Sequence, residues 1–230
     1  MRIVAEFGSL KPGTIVSRTA IRLERRLGRH LSAVIVSVPA GIELPLHTHV
    51  QSDDFFIILK GTAVVLFEQN RKRRVRTGDS VWVPPGCPHG LRSGPRGVIE
   101  VGFQCPPDHA PLSLGAVRSR RSPGVHSAHR SAAFGAWSSL IGTRKSRIAV
   151  HVAKLRRGQT LEVRRYDTPS MLLVLTGAAR VLDHALGPLS LATLGPAVGQ
   201  LRRGRLQAAQ ITALKPATVL LSVAPRYGSA

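Results

Sequence analysis

Between Gly41 and Gly61 the chain reads GIELPLHTHVQSDDFFIILKG, and between Gly78 and Ser93 it reads GDSVWVPPGCPHGLRS. These two stretches constrain the fold more than any bulk property does. His47 and His49 stand two apart in a run of extended character, and alternate residues of a strand share a face about 6.6 to 6.8 Å apart. Two imidazoles on one face can share one ion. Asp54 follows five residues after His49, directly before the apolar run Phe55 to Leu59, and can turn back toward the same point. The second stretch supplies His89 behind a Pro-Pro-Gly turn. Three histidines and a carboxylate from two strands suit a first-row divalent metal, with positions left open for water or substrate.

The spacing is as informative as the residue types. Gly41, His47, His49, Asp54 and Gly61, separated by five, one, four and six residues, resemble the first motif of the cupin superfamily, in which an acid, usually Glu, precedes the last glycine. Gly78, Pro84, Gly86 and His89 resemble the second motif of the same family. Asp54 is one methylene shorter than the family's Glu, with Asp53 beside it as a less well aligned substitute, and Ser93 stands where the family often has Asn. The resemblance implies one metal, bound by His47, His49 and His89 with Asp54 as fourth ligand. Fe, Mn, Ni, Co and Zn all suit such a donor set.

The flanking sequence reads as β structure. Leu31 to Val38 is a β-branched run closed by Pro-Ala-Gly, and Phe55 to Leu59 and Thr62 to Phe67 read as two strands joined at Lys60-Gly61. Residues 21 to 27 fit a short helix or an outer strand equally. The basic run Arg71 to Arg76 reads as an exposed hairpin strand whose charges guard an edge. Val98 to Phe103 closes the unit and carries Glu100. Turned inward, Glu100 is the candidate catalytic residue, a general acid of raised pKa or a support for the metal ligands; turned outward, the expected orientation, it is an ordinary surface acid. Cys87 lies two residues before His89 and is expected to be an unreactive thiol near the site's mouth.

The last third repeats the first in outline. Setting Gly158 on Gly41 brings Gly177 onto Gly61 after a one-residue deletion, and setting Gly199 on Gly78 puts Pro216 on Pro95 and Val219 on Val98. At the ligand positions this half offers Arg164, Tyr166, Ser170 and Gln210, a poor set for a divalent metal; Arg164 with Tyr166 would better suit an anion. The expected architecture is therefore all-β, two antiparallel jelly-roll barrels of the cupin kind joined by a connector: residues 1–105 with the metal site, a basic Ser/Ala/Arg-rich connector over 106–145, and a degenerate barrel over 146–230. His126 and His129, in the connector, read as surface histidines.

The net charge of +21 is spread along the chain, at +7, +5 and +9 over those three segments. Aromatic residues make up only 4%, so the interleaved bases and aromatics of a single-strand binder are missing. No specific nucleic acid is expected, only non-specific attraction to polyanions. Two cysteines make no disulfide framework, no segment approaches a membrane span or an export signal, and the expected compartment is the cytoplasm. The expected partner is a small-molecule substrate or ligand, with a homodimer as one assembly option. Functionally, the resemblance implies a mononuclear metalloenzyme of dioxygenase, decarboxylase or isomerase type acting on a small anionic or phenolic molecule, with a non-catalytic binding or regulatory module as the alternative.

Overall fold

The computed structural model describes residues 5–9, 14–15, 22–27, 31–107, 122–127, 131–141, 146–163, 170–194 and 209–223. It divides into two compact units, Lys11–Arg130 and a second made of Met1–Leu10 with Ser131–Ala230. Each unit is one antiparallel jelly-roll sheet, and no helix among the described residues is long and apolar enough to cross a membrane.

The first unit holds nine strands: β2 (Thr14–Ile15), β3 (Arg22–Leu27), β4 (Ser32–Val38), β5 (Glu43–His47), β6 (Asp53–Phe67), β7 (Lys72–Arg76), β8 (Asp79–Val83), β9 (His89–Cys105) and β10 (Gly124–Ser127). The main path runs β10-β8-β6-β9-β4-β3-β2, with β5 on β9 and β7 on β6. Strand β9 is the spine, because it pairs with β4, β5 and β6 at once. Alternation fixes which residues face inward. Val34, Val36 and Val38 of β4, Phe56 and Ile58 of β6 and Val98 of β9 are buried in one core.

The sequence divides Phe55 to Phe67 into two strands; the backbone runs through as one, with register shifts on either side of Gly61. Gly61 has φ +88°, and a Cβ there would collide with the carbonyl oxygen of Gly97, so only glycine fits the bulge. Residues 22–27 form a strand and not a helix, paired along their length with β4. Lys72, Arg73, Arg74 and Arg76 are exposed on a strand that, among the described residues, pairs with β6 alone, as an edge guard should.

The second unit holds β1 (Ala5–Ser9), β11 (Ser138–Ile141), β12 (Ala149–Leu155), β13 (Thr160–Val163), β14 (Ser170–Val181), β15 (His184–Leu186), β16 (Ser190–Leu194) and β17 (Ala209–Val223). Its spine is β17, pairing with β12, β13 and β14 as β9 does with β4, β5 and β6. The duplication extends to detail. Gly177 has φ +79°, and a Cβ there would collide with the Pro216 carbonyl, which sets Pro216 on Gly97 and Ala217 on Val98, two positions from the alignment read in the sequence.

The unit boundaries also differ from 1–105, 106–145 and 146–230. Strand β1 pairs with β16, so the N-terminus belongs to the second unit. Of the expected connector, β10 pairs with β8 and β11 pairs with β12, so it adds a strand to each sheet. Short polar strands added at sheet edges carry little periodic signal, and long-range pairings such as β1 with β16 leave none.

Candidate metal centre

Strand β5 delivers His47, and the turn after it delivers His49. His89 opens β9 and lies opposite both His47 and Phe67 in register. The turn before it is tied down at both ends: the Cys87 amide donates to the Pro84 carbonyl at 3.2 Å, and the Gly86 amide donates to the His49 carbonyl at 2.8 Å. That second bond links the two motifs directly. Ser93 does related work where the family has Asn, since its hydroxyl accepts from the Ile42 amide at 3.1 Å and donates to the Pro39 carbonyl, holding the turn that leads into β5.

All three histidines are buried, and their candidate donor nitrogens lie within 4.8 Å of one another. Ring centroids are separated by 5.1 Å for His47 and His49, 4.4 Å for His47 and His89, and 5.3 Å for His49 and His89. Nδ1 of His47 lies 3.0 Å from the Pro45 carbonyl, and Nδ1 of His89 lies 3.1 Å from the Cys87 carbonyl. A carbonyl can only accept, so both rings carry a proton on Nδ1 and turn Nε2 toward the site. Burial, reinforced by the neighbouring His89, lowers the His47 pKa to about 3. It is therefore neutral near pH 7, as a metal ligand must be.

Asp54 belongs to the same cluster. Its Oδ2 lies 3.2 Å from Nε2 of His89 and 3.9 Å from Nε2 of His49. Burial pushes the Asp54 carboxyl up, but the hydrogen bond from His89 and the surrounding imidazoles outweigh it and hold the pKa below its usual value. Asp53 is excluded as a substitute, because it points to the opposite face and its Oδ1 accepts from the Trp82 indole at 2.8 Å. The donor chemistry of three convergent buried imidazoles, with a buried carboxylate beside two of them, fits a divalent transition metal.

Glu100 corrects an expectation. It is buried, not outward-facing, because Val98, Glu100 and Gln104 alternate onto the inner face of β9, where Val36 and Ile58 lie opposite Glu100. Burial pushes its pKa up to about 8, with the Asp54 carboxylate adding to the effect. Cys87 is buried with its thiol pushed up by that burial, against the opposing pull of Arg71, which leaves it a poor nucleophile near pH 7.

Sequence reasoning missed Gln104. Its Nε2 lies 3.3 Å from Nε2 of His49, and it stands opposite Asp54 in register. A polar residue at the inward phase of an otherwise apolar strand, four after Glu100, was the available signal.

The second unit has no such cluster among its described residues. Arg164, Tyr166 and His129 lie outside the described residues, Ser170 is buried, Gln210 is exposed, and the inner face is packed by Leu155, Leu172, Val174, Val181, Ile211 and their apolar neighbours.

Residues 34–95 match the sequence model of the cupin domain family. The dimethylsulfoniopropionate lyase DddQ of Ruegeria pomeroyi is 40% identical over 63 residues, covering 27% of this chain and 31% of that protein; the chain thus matches under a third of that relative's length. The uncharacterized protein MJ1618 of Methanocaldococcus jannaschii is 29% identical over 99 residues, 40% of this chain and 78% of that one. In fold, the formate complex of Lactobacillus farciminis oxalate decarboxylase superposes with TM-score 0.70 at 13% identity, covering 96% of this chain and 86% of that one. An E162A mutant of the Bacillus subtilis oxalate decarboxylase does so with TM-score 0.68 at 13% identity, covering 96% and 77%. Both motifs meet at one barrel mouth within the residues that the family model matches, so residues 34–95 form a cupin domain, and the likeness to the solved structures is one of fold.

Proposed function

We propose that the first barrel is a mononuclear metalloenzyme centre acting on a small carboxylate-bearing molecule, with His47, His49 and His89 as metal ligands and Asp54 completing the set. The observation that carries this reading is the convergence of three buried imidazoles, two of them beside the Asp54 carboxylate, with Nδ1 of His47 and of His89 already committed to backbone carbonyls. A divalent ion there supplies Lewis acidity to a bound substrate oxygen. The chain's own part is to hold Nε2 of His47 and of His89 in place through their Nδ1 bonds and to keep Asp54 ionised beside them.

Support for a carboxylate substrate comes from two sides. The similar proteins named for their reactions, a dimethylsulfoniopropionate lyase and oxalate decarboxylases, are named for small carboxylates, and a chain of net charge +21 attracts anions. Leu46 and Val50, which flank the two motif histidines, are exposed apolar residues and give the mouth a hydrophobic rim. Purified protein loaded in turn with Mn, Fe, Ni, Co and Zn, and screened with oxalate and dimethylsulfoniopropionate for product and for dioxygen uptake, tests the reading. Turnover that disappears in His89→Ala supports it. Metal binding and carboxylate binding without turnover would instead mark a binding module.

A further inference from the structure

Among the described residues, four buried side-chain atoms have no hydrogen-bond partner, and three of them, Ser32 Oγ, Glu100 Oε2 and Gln104 Oε1, sit on one face of one sheet. Ser32 lies opposite Gln104, which lies opposite Asp54; Glu100 follows two inner-face positions along β9, between Val36 and Ile58. Buried polar atoms are normally paired, and leaving one unpaired costs stability. Three together on the wall beside a candidate metal centre need a reason.

The second unit shows that the fold does not supply that reason. With Gly177 on Gly61 and Ala217 on Val98, Ser32 corresponds to Ala149, Glu100 to Val219 and Gln104 to Val223, and the pairings repeat: Ala149 opposite Val223, Ser170 opposite Val223, Val174 opposite Val219. All three counterparts are apolar and buried. The same sheet is built without polar groups at these positions, so the first unit carries them for something other than folding.

We propose that Ser32, Gln104 and Glu100 form a substrate-recognition wall, and that the ligand is a small bifunctional acid with one carboxylate at the histidines and a second oxygen group held on this wall. The wall begins at the metal centre, since the Gln104 amide is 3.3 Å from Nε2 of His49. The Ser32 hydroxyl and a Glu100 carboxyl kept protonated by its apolar surroundings present donors to an oxygen acceptor, and the unpartnered Gln104 Oε1 accepts from a hydroxyl or a protonated carboxyl of the same ligand group. Val36 and Ile58 around Glu100 leave an apolar setting in which such bonds discriminate strongly, because a ligand lacking the second group leaves the wall unsatisfied. This inference rests on the metal-centre reading above.

Calorimetric titration of the metal-loaded protein with succinate and malonate, against butyrate and propionate, tests it. The wild type is expected to favour each diacid over its monoacid by about tenfold or more. Gln104→Leu and Glu100→Leu are expected to reduce that ratio to within about twofold while keeping the metal and raising the thermal midpoint, since an unsatisfied buried group is removed. Glu100→Gln retains a donor and is expected to keep the preference. A purely structural role predicts a lower midpoint and an unchanged ratio. An unchanged ratio in both Leu variants, or no preference in the wild type, would overturn the wall while leaving the metal centre standing. Absence of metal from the loaded wild type would overturn the centre, and the wall with it.

Discussion

Oδ2 of Asp54 lies 3.2 Å from Nε2 of His89, so the shortened acid of the first motif reaches the histidines from within the barrel. A carboxylate one bond shorter than Glu is placed by the strand itself, since Asp54 is the second residue of β6 and lies between Val83 and Gln104. Reach still limits it, because metal–oxygen bonds need about 2.0 to 2.2 Å. Asp54→Ala is expected to weaken metal binding by roughly 10- to 100-fold, whereas His89→Ala abolishes it. Competition with a chromogenic chelator separates the two; equal loss in both variants would give Asp54 the same weight as the imidazoles.

His47 gives a pH dependence with a definite sign. Its folded pKa, about 3, is below the unfolded value of 6.5, so the unfolded chain binds the proton first. The metal-free protein should be most stable above pH 6.5 on this account and lose stability as pH falls toward 3. Urea unfolding of the metal-free protein across that range is expected to show the fall, and His47→Leu to flatten it.

Glu100 contributes with the opposite sign. Its folded pKa of about 8 is above the model-compound value of 4.5, so its contribution is complete below pH 4.5 and is lost as pH rises toward 8. Glu100→Gln should therefore gain on the wild type steadily between those limits. A constant difference between the two proteins would mean that Glu100 is ionised throughout.

Gly61 and Gly41 separate steric from conformational cost. Gly61 and Gly41 both have positive φ, but a Cβ at Gly61 would meet the Gly97 carbonyl, whereas at Gly41 nothing lies within 4 Å. Gly41→Ala is expected to cost about 1 kcal/mol and Gly61→Ala at least about 2 kcal/mol, read as shifts in the chemical denaturation midpoint.

What was legible in the sequence follows from period. His47, His49 and His89 were readable because two-residue spacing and a Pro-Gly turn fix direction locally, and Gly61 and Gly177 marked the repeat because only glycine fits their bulge. Glu100 was read outward because a lone acid in an apolar strand gives no phase by itself; the phase comes from Val36 and Ile58 across the sheet. Ser32 and Gln104 belong to no motif, and their role depends on the pairing of β4, β6 and β9. The pairing of Ala5–Ser9 with Ser190–Leu194 joins residues far apart in the chain, which no local pattern announces.

Metal stoichiometry tests the central claim most directly. Elemental analysis of the purified wild type and of the His47→Ala, His49→Ala double variant should give close to one divalent ion per chain in the first and none in the second. Close to two ions per chain, or metal retained by the double variant, would contradict a single centre in the first barrel.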